Sequence, residues 1–229
     1  LQISTLATAD LLVLTDAQIQ ALSTVQINAL TVGQVVGLDS TDFALMSNAQ
    51  LRALGTDDIN ALSSAQIQAL RSQQIGAFTT VQLGALGTDD LNALGSDQIA
   101  TLTSAQVRSL TTNHVANMET GDIASIGTDQ IKSLTSAAIA ALTSDQVPGL
   151  TSDQISQLTT AQLRAMTTDN MARIETADLV TMTSVQLRSL SSAQLATAET
   201  ADLAALTSAA LRSRRAITVS PRPAGTSSY

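Results

Sequence analysis

One eight-residue unit repeats along this chain, and its period restricts the available folds more than any other feature. From Ala7 to Arg214 the sequence divides into 26 octads with no insertion or deletion. Thr151-Ser152-Asp153-Gln154-Ile155-Ser156-Gln157-Leu158 is typical. Position 5 is apolar in all 26 octads, and position 8 in 25, with Arg214 the exception. Position 2 is Ser or Thr in 23, the exceptions being Asp16, Val32 and Asn48. Position 4 is Gln in 15 octads and Asp in seven. Position 6 varies and is expected to face water. Position 7 is mostly Ala or Ser.

Side chains of a β-strand alternate between two faces, so a straight strand would point positions 5 and 8 apart. In an α-helix the two share a face. A continuous helix nevertheless fails. Eight residues advance it about 800°, roughly 80° past two full turns, and the apolar stripe would wind around the rod. The pattern therefore predicts a helix interrupted once per octad.

The interruption has a chemical cause. Ser and Thr at positions 1 and 2, joined by Asp16 and Asn48, are N-caps whose side-chain oxygens accept orphan amide hydrogens. Ser or Thr at position 1 with Gln at position 4 is also the spacing of a capping box. Twelve of the 15 Gln octads have Ser or Thr at position 1. None of the seven Asp octads does; they carry Ala7, Asp39, Gly55, Gly87, Glu119, Glu175 and Glu199. Either positions 1 and 4 touch, or the Asp octads occupy a distinct place in the coil. Their spacings of 4, 2, 4, 4, 7 and 3 octads point to a superhelical turn of three to four octads.

A helix this short is unstable alone, because nucleation is costly. Two large apolar side chains per octad, each contributing about 1.5–3 kcal/mol when buried, form a ribbon-like core if successive units stack. Small residues at position 7 permit close approach. The expected fold is all-α: a solenoid, or superhelix, of short capped helices, one per octad. The alternative is a β-solenoid with stacked Ser/Thr and Gln columns. Abundant Ala, Leu and Gln favour helix, while scarce aromatics and 11 Gly argue against tightly turned strands. Pro148, at position 6, removes a helical N–H and marks one irregular octad. The expected organisation is a repeat solenoid over 1–214 and an irregular Pro-, Gly- and Ser-containing tail or linker over 215–229. The chain opens at Leu1 already in phase, without Met or a signal peptide, and is expected to be a segment of a longer protein.

An apolar content of 44% excludes simple polar disorder. The absence of Cys excludes a disulfide framework and thiolate-bound metal. No apolar run approaches the roughly 20 residues of a membrane span; Leu11-Leu12-Val13-Leu14 is typical. The formal charge is −8, but residues 1–211 hold all 19 acidic groups and seven basic ones, and Arg212, Arg214, Arg215 and Arg222 supply the rest. This acidic body argues against nucleic acid or an anionic membrane as partner.

Few residues of the chain carry candidate chemistry. His114 replaces Gln at position 4 and is expected to face solvent; it has no Cys or second His with which to hold a metal. No spacing singles out a Ser-His-Asp triad. Asp57-Asp58 and Asp89-Asp90 both follow Gly-Thr. They are expected to be solvated helix N-termini rather than a calcium site, which needs six to eight oxygen ligands. Met46, Met118, Met166, Met171 and Met182 occupy positions 5 or 8 and are expected in the core. No catalytic, cofactor-binding or metal residue is assigned, no cofactor is expected, and the chain is not expected to be an enzyme.

The units Leu102-Thr103-Ser104-Ala105-Gln106-Val107 and Leu158-Thr159-Thr160-Ala161-Gln162-Leu163 resemble octapeptide arrays of very large bacterial secreted or surface proteins of the adhesin-like or RTX-like kind. The resemblance covers residues 1–211. It implies a bacterial origin and an extracellular or cell-surface stalk, fibre or adhesive role, and it carries no catalytic residue. The glycine-rich calcium nonapeptide of RTX proteins is absent, so calcium is not implied. The leading expectation is an elongated spacer, scaffold or fibre. One rival is a protein- or glycan-binding solenoid, for which Arg52, Arg108, Lys132, Arg164, Arg188 and Arg212 at position 6 are scattered candidates. A less favoured rival is an ice- or surface-binding array of Thr and Ser. The apolar N-terminal end formed by Leu1, Ile3 and Leu6, against a stop at Arg214, points to self-association or to neighbouring repeats of a longer chain.

The assignment of inside and outside makes a prediction. Ile155→Asp, which buries an unpaired charge, is expected to cost more than about 4 kcal/mol, whereas Arg164→Ala is expected to cost under about 1 kcal/mol. Equal shifts in thermal melting would refute the assignment.

Overall fold

The computed structural model describes residues 3–197. Among the described residues the chain forms 23 α-helices of four to six residues and two 3-10 turns, and no strand. Each octad supplies one element, so the expected all-α solenoid is correct and the β-solenoid alternative is excluded. The expected stop at Arg214, the tail over 215–229 and Arg212 lie outside the described residues, as does Leu1.

Octad 47–54 illustrates how the six-residue helices begin and end. Its helix runs Asn48–Ala53, between Ser47 (φ −72°, ψ 158°) and Leu54 (φ −66°, ψ 139°). Position 8 of one octad and position 1 of the next are thus both extended, and these two residues redirect the chain. No described residue has a positive φ. Helix termination here needs no left-handed cap and hence no glycine, which is why Leu and Ser or Thr suffice at the junction.

Position 4 joins one turn of the coil to another. Gln50 Oε1 accepts the Ser47 backbone N–H at 2.7 Å, and the Gln50 N–H donates to Ser47 Oγ at 3.3 Å. This is the expected capping box. The Gln50 Nε2 group then donates to the carbonyls of Ile19 (2.8 Å) and Leu22 (2.9 Å), 31 and 28 residues earlier. Gln74 repeats this with Phe43 and Met46, Gln106 with Ile75 and Phe78, and Gln154 with Ile123 and Ile126. Twelve of the position-4 glutamines make such a bridge. The carbonyls of positions 5 and 8, the first of which already accepts the position-8 N–H of its own octad, therefore each receive a side-chain donor from four octads later.

Each helix meanwhile packs against the helix three octads on. Ser104–Ser109 meets Thr128–Ile131, and Thr160–Ala165 meets Ser184–Ser189. An octad therefore straddles two octads of the adjacent turn, and one turn holds about 28 residues, or about three and a half octads. This agrees with the spacing of the Asp octads. Positions 5 and 8 line the axis as one hydrophobic cluster from Ile3 to Leu190, which includes all five Met residues. Position 7 approaches position 2 of the octad three units back. Gly37 lies against Thr8 and Gly149 against Thr120, and at either glycine an added Cβ would overlap the Thr methyl.

The Pro148 octad departs from helix as expected, leaving only the 3-10 turn Val147–Gly149. Its Gln146 still accepts the Thr143 N–H at 2.7 Å and donates to Val115 and Met118 at 2.8 and 2.7 Å. The tie between turns thus survives loss of the α-helix, because it needs only the residues at positions 1 to 4 in place.

Gln154→Ala tests this tie. It strips partners from Thr151 N–H and from the Ile123 and Ile126 carbonyls. It is expected to cost about 2–4 kcal/mol, comparable with a large-to-small core substitution, in denaturant unfolding. A loss under about 0.5 kcal/mol, the level of an ordinary surface change, would show that the bridges are incidental.

Candidate functional site

With positions 5 and 8 inside and position 4 buried in the ties, recognition is left to the outward positions. At position 6, Arg52, Arg108, Lys132, Arg164 and Arg188 are all exposed. Two of them also lie along the coil: Arg52 Nε donates to the Ala77 carbonyl at 2.7 Å and Arg164 Nε to that of Ser189 at 3.0 Å, each 25 residues ahead. Asn28 and Asn92 donate in the same way to Ala53 and Asn117. Position 6 is therefore a second tie between turns, which sequence reasoning missed. The recurrence there of side chains bearing N–H donors was the available signal. Lys132 instead pairs with Asp129 at 2.9 Å.

Scattered in sequence, these cations come together in space. Octads 47–54, 71–78, 103–110, 127–134, 159–166 and 183–190 stack along one side of the coil. Arg52 links the first to the second, and Gln106 links the second to the third through Ile75. Helices Ser104–Ser109 and Thr128–Ile131 pack together. Gln162 bonds Ile131, and Arg164 bonds Ser189. The five position-6 cations therefore form one basic strip parallel to the axis.

His114 does not face solvent; it is only 5% exposed. It substitutes for Gln at position 4 and reproduces most of its bonding. Nδ1 accepts the Thr111 N–H at 3.3 Å, and Nε2 lies 3.0 Å from the Leu86 carbonyl, 28 residues earlier. Accepting at Nδ1 leaves Nε2 to carry the hydrogen donated to Leu86. Because an imidazole is rigid, it makes one carbonyl bond where Gln makes two.

The Asp pairs also differ from the expectation of solvated helix starts. Asp57 is exposed, but Asp58 is buried and turns back to accept the Gly55 N–H at 2.9 Å. Asp90 accepts from Ser64 Oγ of the neighbouring turn. Asp10, Asp42 and Asp58 keep the capping bond, whereas Asp90 and Asp178 accept a hydroxyl hydrogen from Ser64 and Ser152 of the neighbouring turn; none of them donates to a carbonyl, since a carboxylate has no hydrogen to give. Positions 1 and 4 do touch, as the co-variation of their residues implied. Burial raises the carboxyl pKa of Asp42, Asp58 and Asp90, and burial together with Glu119 raises that of Asp122 to about 6. Among the described residues, no three or more His, Asp or Glu side chains converge as a metal site. No helix of the described residues is long and apolar enough to cross a membrane.

These features define an α-solenoid whose repeating unit is a single capped helix and whose turns are tied by side chains. The model of the ALTTAQ repeat matches residues 3–40, 35–72, 56–88, 71–104, 83–120, 115–152 and 171–197, and the chain belongs to that family. Comparison with curated proteins finds no match.

The raised carboxyls set a pH dependence. A group that binds its proton more readily folded than unfolded stabilises the fold when protonated. For Asp122 that stability is complete below the ordinary value of 3.8 and is lost as pH rises through about 6. The melting temperature is therefore expected to rise as pH is lowered from about 7 towards about 4. Asp122→Asn is expected to raise it at neutral pH and to flatten the profile. Asn170 supports this, because its Nδ2 reaches the Leu142 carbonyl at 2.9 Å from position 4. Melting temperatures that fall monotonically on acidification would contradict the assignment.

Proposed function

We propose that this array is an elongated, non-catalytic spacer or scaffold of a bacterial extracellular or cell-surface protein. The observation that carries the reading is uniformity: the Gln bridge recurs along the coil with the same partners at 28 and 31 residues. Length then grows in proportion to octad number, while the cross-section stays constant. Such a design suits spanning a distance, and the same ties extend to further octads or to another copy stacked on the axis. The surface location rests on the resemblance to octapeptide arrays of large secreted proteins. A second reading, binding of a partner along the rod, is favoured by the basic strip. The hydroxyls of position 1 are largely occupied as caps, as at Thr151 and Thr159, which leaves the ice-binding reading weaker support.

Electron microscopy of the purified segment and of a tandem duplicate tests the spacer reading. Straight rods of equal width, the duplicate twice as long, are the expected result. Compact particles, or a duplicate folded back on itself, would refute it.

A further inference from the structure

We infer that the basic strip is a docking face for a second copy of this chain, laid alongside so that the strip of one rod meets the acidic side of the next.

The six octads of the strip hold six of the seven basic residues between 7 and 198 and one of the 17 acidic ones. That one, Asp129, is already paired with Lys132. The acidic residues sit on the other side. With about 28 residues per turn, groups about 14 apart face opposite ways. Asp97 precedes Arg108 by 11 residues, and Glu119 follows it by 11. Asp145 follows Lys132 by 13, and Glu175 lies 11 after Arg164 and 13 before Arg188. All four carboxylates are exposed. Three of them belong to octads stacked as directly as those of the strip, since helix Thr120–Ser125 packs against both Ser96–Ala100 and Val147–Gly149. The rod therefore carries positive charge down one side and negative charge down the other, both repeating with the pitch of the coil.

That shared pitch selects the partner. Exposed ion pairs are individually weak, so useful attraction requires many pairs in register over a long contact. A second copy has the same pitch by construction, and its acidic side offers the complementary sign. A polyanion would meet the strip but be repelled by the acidic remainder of the chain. Because the two faces of a contact differ, pairing is heterologous, and with the two faces on opposite sides of the rod it stays open. Each added rod presents a fresh strip, and the assembly is a laterally growing bundle rather than a dimer. This goes beyond the spacer reading, which requires only that turns stack within one rod.

Sedimentation velocity of the full chain at ionic strengths of about 0.01 M and about 1 M, where screening lengths are about 30 and 3 Å, tests the proposal. Concentration-dependent large species at low salt, dissolving to monomer at high salt, are expected. R108E/R188E alters exposed residues and should be monomeric at low salt with an unchanged far-UV spectrum, as should D97K/D145K. Mixing these two variants should restore association. A parent chain that stays monomeric at low salt would overturn the proposal. So would association that survives high salt or the R108E/R188E change, which would indicate end-to-end stacking instead. Binding of heparin at physiological salt without self-association would overturn it in favour of a polyanionic ligand.

Discussion

The buried glutamine at position 4 is the contact on which the rest of the solenoid depends. Its amide has one acceptor and two donor hydrogens, and all are used. Oε1 takes the N–H of position 1, which would otherwise be an orphan of the helix start. Nε2 reaches two carbonyls at the end of a helix of the adjacent turn, as Gln154 does at Ile126 and at Ile123, which also accepts the Ile126 N–H. A helix of six residues ends almost as soon as it begins, so unpaired backbone groups are its main liability. One side chain meets that liability at both ends and ties the turns together. Buried amides left unpaired would cost more than the bonds return, so each glutamine that is buried needs its partners in place.

The departures from Gln show what the tie requires. His114 has the donor and the acceptor but not the flexibility, and it makes one carbonyl bond. Asn170 has the donor on a shorter arm and reaches Leu142 alone. Asp cannot donate to a carbonyl: Asp58 only caps, Asp90 accepts from Ser64 of the neighbouring turn, and at Asp122 the buried carboxylate is held against its own desolvation and the charge of Glu119. Pro148 removes the α-helix without removing the bridge. Hydrogen-bonding groups at the start of the octad therefore matter more to this coil than helical content at its end.

Turn length also converts sequence spacing into surface chemistry. Arg52, Arg108 and Arg164 are separated by 56 residues each, which is two turns, and Lys132 and Arg188 are separated by the same interval. A period near 28 places them on one side and the carboxylates of Glu119 and Glu175 nearly opposite. A turn of three or of four whole octads would have rotated successive cations around the rod. The half-integral number of octads per turn is thus what gives the surface two faces.

Much of this was legible in the sequence. The octad period excluded both a straight strand and a continuous helix, and the Ser/Thr–Gln pairing at positions 1 and 4 located the caps. Apolar residues at positions 5 and 8 identified the core, including Met46 and Met171. These are local properties, set by backbone geometry within eight residues. The sequence did not reveal that position 4 is interior, that position 6 binds the next turn, or that scattered cations form a strip. It led to His114 being placed in solvent and the Asp at position 4 being placed in water. Each of these depends on what lies 25 to 31 residues away. That distance is fixed by how helices three octads apart pack around a common core, which no single octad encodes. The sequence by itself determined the unit and its inward face; the winding of the units, and with it every contact between turns, was decided by tertiary packing.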